Sequence, residues 1–119
     1  MGQDRWHNMY LKRCSVPYSQ STSTKELTLP KGAQIFSIDV FSDDASSGAS
    51  LDVGTSADGD AYVDGLDVSA AGSSRATLLN RTKLTVPTDI YCQVQGAPSS
   101  GGPFDVRIEY FMTRSRKVL

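Results

Sequence analysis

Four aspartates between residues 58 and 67 are the side chains of this sequence best suited to chemistry, as ligands of a hard cation. Asp58, Asp60, Asp64 and Asp67 lie within ten residues of one another, and calcium prefers carboxylate oxygens. The spacing is not that of an EF-hand loop, because Tyr62 stands at the third ligand position. We interpret these carboxylates as solvated loop side chains, with an irregular cation site as the alternative.

The sequence lacks the groupings that catalysis requires. A Ser-His-Asp hydrolase needs a histidine held in place by packing, and the only histidine, His7, falls in a polar N-terminal stretch. One histidine and two distant cysteines form no zinc pattern. The glycine-rich segment 96–102 has no Lys-Ser/Thr and no following helix, so it is not a phosphate-binding loop. We predict a protein without enzymatic activity and without a cofactor.

The two cysteines and the N-terminal residues indicate whether the protein is exported from the cell. Two cysteines are too few for a disulfide scaffold, and the first residues lack the apolar core of a signal peptide. No run reaches the roughly 18 apolar residues of a membrane span, so we expect no membrane partner. Cys92 alternates with Ile90 and Val94, which indicates a small buried side chain. A bridge between Cys14 and Cys92 stays open as an alternative.

Charge is unevenly distributed along the chain, although the net charge is only −1. Residues 32–74 contain eight Asp and no Lys or Arg, whereas residues 1–31 and 75–119 are net basic. The balanced total does not indicate a nucleic-acid partner. The acidic residues are either solvated in turns or form a face that docks against a complementary neighbour. Both interpretations can hold together.

The elements that must carry these residues are β-strands. Side chains alternate between faces with a period of two in a strand, and the segment 104–112 follows that rule. One face holds five apolar side chains, namely Phe104, Val106, Ile108, Tyr110 and Met112. The segment 36–40 alternates likewise, and places Phe36, Ile38 and Val40 on one face.

Similar short runs recur along the chain and are separated by Gly, Pro, Ser and Asp. Further strands are predicted at 9–16, 50–55, 75–79, 83–86 and 90–95, and the segment 57–67 has room for one helical turn. Residues 96–103 form the strongest loop, so we expect the strands on either side of it to pair as an antiparallel hairpin.

Seven or eight strands at this spacing predict an all-β protein, a β-sandwich or jelly-roll-like antiparallel double sheet with an extended N-terminal arm. The expected division is residues 1–28 as the arm with a first strand and linker, and residues 29–119 as a single-domain body. The polar residues 1–8 are the arm itself.

Aromatic and basic residues near the two ends are the candidates for an interface. Aromatic side chains dominate interface energetics, and the arm offers Trp6, Met9 and Tyr10 as anchors. Phe111 lies on the polar face of its strand, so either a loop or another subunit covers it. The basic tail adds three candidates for salt bridges with a protein partner, namely Arg114, Arg116 and Lys117.

Several segments resemble those of small virion proteins of tailed bacteriophages. The similar segments are LPKGA at 29–33, the strand at 35–40, LDVGT at 51–55, DVSAAG at 67–72, the stretch 94–96 with the glycine-rich loop after it, and IEY at 108–110. They span about residues 29–110, roughly two thirds of the chain.

The resemblance implies a capsid decoration (cement) protein that binds the outside of the phage head and stabilises contacts between major capsid subunits. It also implies a dimer or trimer, located on the virion surface and assembled in the cytoplasm of the host bacterium. The family has no catalytic residues to transfer. A tail, baseplate or head-fibre component is the alternative, and a carbohydrate- or calcium-binding β module is a more distant one.

Overall fold

The computed structural model describes the backbone of residues 5–115 and the side chains of residues 9–112. Eight strands follow one another: β1 (Arg5–Val16), β2 (Thr24–Leu29), β3 (Ala33–Ser42), β4 (Ser50–Gly54), β5 (Val63–Asp67), β6 (Gly72–Arg75), β7 (Thr88–Gln95) and β8 (Phe104–Ser115). Within these residues, no helix is long and apolar enough to cross a membrane.

The strands form two four-stranded antiparallel sheets. Sheet A has the order β1-β8-β3-β6, and sheet B has the order β2-β7-β4-β5. Apart from β4 and β5, consecutive strands lie in different sheets, so the chain crosses repeatedly from one layer to the other. This is the wrapping of a double-sheet jelly roll. The predicted all-β double sheet is confirmed.

The core lies between the two sheets and is built from the alternating apolar residues of each strand. Burying this apolar surface is the main force that holds the layers together. The largest side chains that are fully buried are Phe104, Leu29, Ile38, Leu51, Ile90 and Ile108. The buried position expected for Cys92, between Ile90 and Val94, is confirmed.

A β-bulge in β3 overturns one expectation. The register of β3 against β8 shifts between Ile35 and Ser37, and an extra residue in a strand reverses the faces that follow it. Ile35 and Ile38 therefore both point into the core, whereas Phe36 is 43% exposed. The prediction that Phe36 shares the face of Ile38 and Val40 is wrong.

The hairpin expected around the glycine-rich loop does not form. β7 pairs with β2 and β4, and β8 pairs with β1 and β3, so the two strands belong to different sheets. The loop 96–103 is long enough to cross the roughly 10 Å between packed sheets. Its fully buried anchor is the Ser46 hydroxyl, which accepts a hydrogen bond of 3.0 Å from the Gly102 backbone N–H.

Two further strand predictions are wrong, at 75–79 and 83–86. The strand in this region is β6, which ends at Arg75, and residues 76–87 are irregular. Their backbone N–H groups donate to separate places in the fold, with Ala76 bonded to Ile38 and Leu84 bonded to Ala33. Such isolated hydrogen bonds form no ladder. The helical turn expected within 57–67 is likewise replaced, because β5 occupies Val63–Asp67.

The N-terminal strand β1 pairs with β8 along its whole length, from Arg5 opposite Ser115 to Val16 opposite Phe104. The first four residues of the expected arm lie outside the described residues, and from Arg5 onward the backbone belongs to sheet A. Lys12 faces the other sheet, where its Nζ donates to the Thr28 carbonyl at 2.6 Å. This inward lysine explains why the alternation in β1 is blurred.

Candidate functional site

The outer face of sheet A carries a cluster of four large apolar side chains, three of which are exposed. Met9 of β1 lies opposite Phe111 of β8, and Leu11 lies one step further along the same face. Phe36 at the bulge of β3 completes the group. We call Met9, Leu11, Phe36 and Phe111 the outer patch.

Three side chains of the outer patch are exposed to solvent, unlike those of the hydrophobic core between the sheets. Met9 is 49% exposed, Leu11 is 52% exposed and Phe36 is 43% exposed. The rings of Phe36 and Phe111 contact each other with centroids 5.8 Å apart and an angle of 45° between their planes. Contiguous apolar surface of this kind on a sheet indicates an interaction site.

A row of paired charges lies beside the outer patch on the same face. Arg75 donates to both carboxylate oxygens of Asp39, at 2.8 and 3.2 Å. Asp105 accepts from Arg13 and from Arg107, each at 3.1 Å. The hydrogen bond and charge of the Asp39 carboxylate raise the pKa of the Arg75 guanidinium. These side chains are therefore held in place by one another.

A shallow depression of about 320 Å³ joins the patch to the charged row. It is lined by Leu11, Asp39, Ser73, Arg107 and Glu109. The Ser37 hydroxyl donates to Glu109 at 2.7 Å. Each charged group around the depression thus has a partner within the protein.

The predicted interface residues are distributed differently from one another. Met9 and Phe111 come together in the outer patch. Tyr10 faces the opposite side of sheet A, where its ring stacks on Tyr110 with centroids 5.5 Å apart. In the backbone register Trp6 lies opposite Arg114. Arg116 and Lys117 lie outside the described residues.

Two residues of the outer patch, Leu11 and Phe36, were not among the predicted interface residues. Leu11 could have been found, because it alternates with Met9 in β1 and therefore shares its face. Phe36 carried no such signal, because the bulge that turns it outward depends on the pairing of β3 with β8. Phe111 was expected to be covered by a loop or another subunit, which stays a prediction, and its ring contacts that of Phe36.

The Asp-rich segment does not assemble into a metal site within the described part of the chain. No group of three or more His, Cys, Asp or Glu side chains lies close enough there to hold an ion. A hydrogen bond with Asp58 raises the pKa of the Asp60 carboxyl. Asp67 instead accepts hydrogen bonds from the hydroxyl and backbone N–H of Ser69, which lower the pKa of its carboxyl.

Comparison with known proteins identifies relatives by fold. No protein-family model matches the chain, and no curated protein sequence matches it. Among solved structures, a chain in the capsid asymmetric unit of cyanophage Pam1 is similar, with a TM-score of 0.67 and 19% identity. That similarity covers 90% of this chain and 85% of the phage chain.

A second similar chain belongs to the acidic stable capsid structure of Helicobacter pylori bacteriophage KHP30. The TM-score is 0.71 at 16% identity, and the match covers 96% of this chain and 98% of that one. Because nearly all of both chains is included, the two proteins have about the same length. At this level of identity the shared property is the fold.

Proposed function

We propose that this protein is a decoration (cement) protein of a tailed-phage head. In this role it binds the outer surface of the assembled capsid, as a dimer or trimer, and stabilises contacts between neighbouring major capsid subunits. The outer patch on sheet A supplies the apolar part of that contact. The proposal needs no reactive group, and binding alone performs the function.

The exposed outer patch is the observation that carries the proposal. Its side chains lie on neighbouring strands of a rigid sheet, so little conformational freedom is lost when a partner covers them. Burying the exposed part of each one contributes about 1 kcal/mol. The row of ion pairs beside the patch supplies a polar rim that sets orientation more than affinity.

The fold comparison supports a place in the virion. Two chains with the same fold and a similar size occur in the capsid structures of cyanophage Pam1 and of Helicobacter pylori bacteriophage KHP30. The resemblance in the segments between residues 29 and 110 points in the same direction. A protein of this size, with an apolar patch on one sheet, suits attachment to an existing shell.

Co-sedimentation with assembled heads tests the proposal. The shells are those of the major capsid protein encoded in the same genome, prepared without this protein. We expect saturable binding by the full chain. The double variant Met9→Ser, Leu11→Ser should bind about 30-fold more weakly, which corresponds to about 2 kcal/mol.

A matched control uses apolar residues that are exposed elsewhere. Leu79 and Val86 lie in the irregular segment 76–87, and each is 60% exposed. The variant Leu79→Ser, Val86→Ser should bind shells like the original protein. Equal weakening by both double variants would contradict a role for the outer patch. Electron microscopy that finds the labelled protein only on tails would contradict decoration of the head.

A further inference from the structure

The two cysteines lie in facing sheets, and both side chains belong to the packing between those sheets. Cys14 of β1 lies opposite Val106 of β8, whose side chain is fully buried in the core. Cys92 of β7 is fully buried as well. The side chain of Cys14 packs against the buried cluster that contains Cys92, and both cysteines are free.

Two hydrogen bonds near the cysteines link the two sheets. Two residues before Cys14 on the same face, Lys12 reaches across the layers and donates to the Thr28 carbonyl of β2 at 2.6 Å. Gln20, in the connection between β1 and β2, donates from its side chain to the Cys92 carbonyl at 3.0 Å. The edge of sheet A is thus tied to the edge of sheet B beside both thiols.

We propose that Cys14 and Cys92 are a reversible modification site, at which a low-molecular-weight disulfide oxidises them to an intramolecular bridge between the two sheets. Cys14, which is only partly buried, attacks the small disulfide as a thiolate and forms a mixed disulfide, releasing one small thiol. Cys92 then attacks the Cys14 sulfur and releases the second small thiol. Two protein thiols are oxidised, and one small disulfide is reduced to two thiols.

Burial opposes the second step. In the reduced protein Cys14 and burial both raise the pKa of the Cys92 thiol, and in the mixed disulfide the effect of burial remains. Only the thiolate attacks a disulfide, so little of Cys92 is reactive near neutral pH. Closure of the bridge should therefore accelerate as the pH rises.

The bridge would join residues that are distant in sequence. Cys14 lies in the first strand and Cys92 in the seventh, and a cross-link that closes a long loop restricts the unfolded chain strongly. A bridge between the two layers of a β-sandwich has a precedent in immunoglobulin domains. The oxidised protein should unfold about 10 °C above the reduced protein.

Intact-mass spectrometry of the full chain after incubation with oxidised glutathione tests this proposal. We expect a loss of about 2 Da without dimer formation, and a Cys14–Cys92 peptide in the digest. The higher melting temperature should return to its original value after dithiothreitol treatment.

Two variants keep the test decisive. Cys14→Ser alters a partly buried position and should abolish both the loss of mass and the thermal shift. Cys92→Ala should accumulate glutathione on Cys14, a gain of about 305 Da. If Cys92→Ala fails to fold, Cys14→Ser alone decides. A stable glutathione adduct on the unmodified sequence, or a bridge between two molecules, would overturn the proposal.

Discussion

Phe36 and Phe111 contact each other on the outer face of sheet A, although they come from strands far apart in the sequence. Their ring centroids are 5.8 Å apart. Phe36 reaches this position only because the bulge in β3 turns it away from the core. The aromatic pair therefore lies on the outer face of sheet A and is not part of the hydrophobic core.

Substitution of Phe36 should therefore affect binding more than stability. For Phe36→Ala we expect the free energy of unfolding to change by about 1 kcal/mol or less, because the ring is already partly hydrated. Affinity for assembled shells should fall about tenfold. Urea denaturation and shell co-sedimentation measure the two effects.

Phe41 provides the comparison for Phe36. It lies on the same outer face, opposite Asp105, and is 37% exposed. Five residues of strand separate it from Phe36, a distance of about 16 Å. Phe41→Ala should leave the affinity within about twofold. A large loss of affinity for Phe41→Ala alone would place the contact at the other end of the sheet.

Gly101 in the loop between β7 and β8 should tolerate no side chain. Its backbone has a φ of 109°, and a Cβ at this position would overlap the buried Ser46 hydroxyl. That hydroxyl also accepts the Gly102 N–H. Gly101→Ala should lower the free energy of unfolding by about 3 kcal/mol, through steric overlap and backbone strain together.

A substitution at Gly72 distinguishes backbone strain from steric overlap. Its φ of 110° matches that of Gly101, but a Cβ there would meet nothing within 4 Å. Gly72→Ala should therefore cost only the backbone strain, about 1 kcal/mol. Chemical denaturation of both variants measures the difference. Equal losses of stability would show that steric overlap at Ser46 contributes nothing.

Stability at acidic pH should depend on the contact between Thr28 and Asp89. The Thr28 hydroxyl donates to the Asp89 carboxylate at 2.6 Å, and Lys25 lies 3.5 Å from the same oxygen. The hydrogen bond from Thr28, helped by the charge of Lys25, lowers the pKa of the Asp89 carboxyl below its ordinary value of 3.8. An acid with a lowered pKa stabilises the fold above 3.8 and loses that effect as the pH falls.

Thr28→Val removes the hydroxyl and keeps the shape of the side chain. The variant should be less stable than the original protein at pH 7, and the difference should shrink as the pH falls below the ordinary pKa of Asp89. Urea midpoints at several pH values, with an NMR titration of the Asp89 carboxyl, measure this. Thr77→Val, at an exposed threonine outside this contact, is the control. A difference independent of pH would contradict the assignment.

Local alternation was enough to predict the faces of the regular strands. The inward positions of Phe104, Val106 and Ile108 follow from their spacing, as does the burial of Cys92. Alternation with a period of two shows which face of a strand is apolar, and it can be read from neighbouring residues of a single strand. The all-β double sheet could therefore be predicted from the residues alone.

Long-range pairing decided the rest. Whether β7 pairs with β8 depends on which neighbours complete each ladder, and no single segment contains that information. The bulge at Phe36 and the packing of Cys14 against the buried cluster are likewise products of register and of the packing of two sheets. Residue type and spacing along the chain set which side chains are apolar and how they alternate along each strand. The tertiary structure decided which of them come together as the outer patch and which as the core, because hydrogen bonding between distant strands sets their positions.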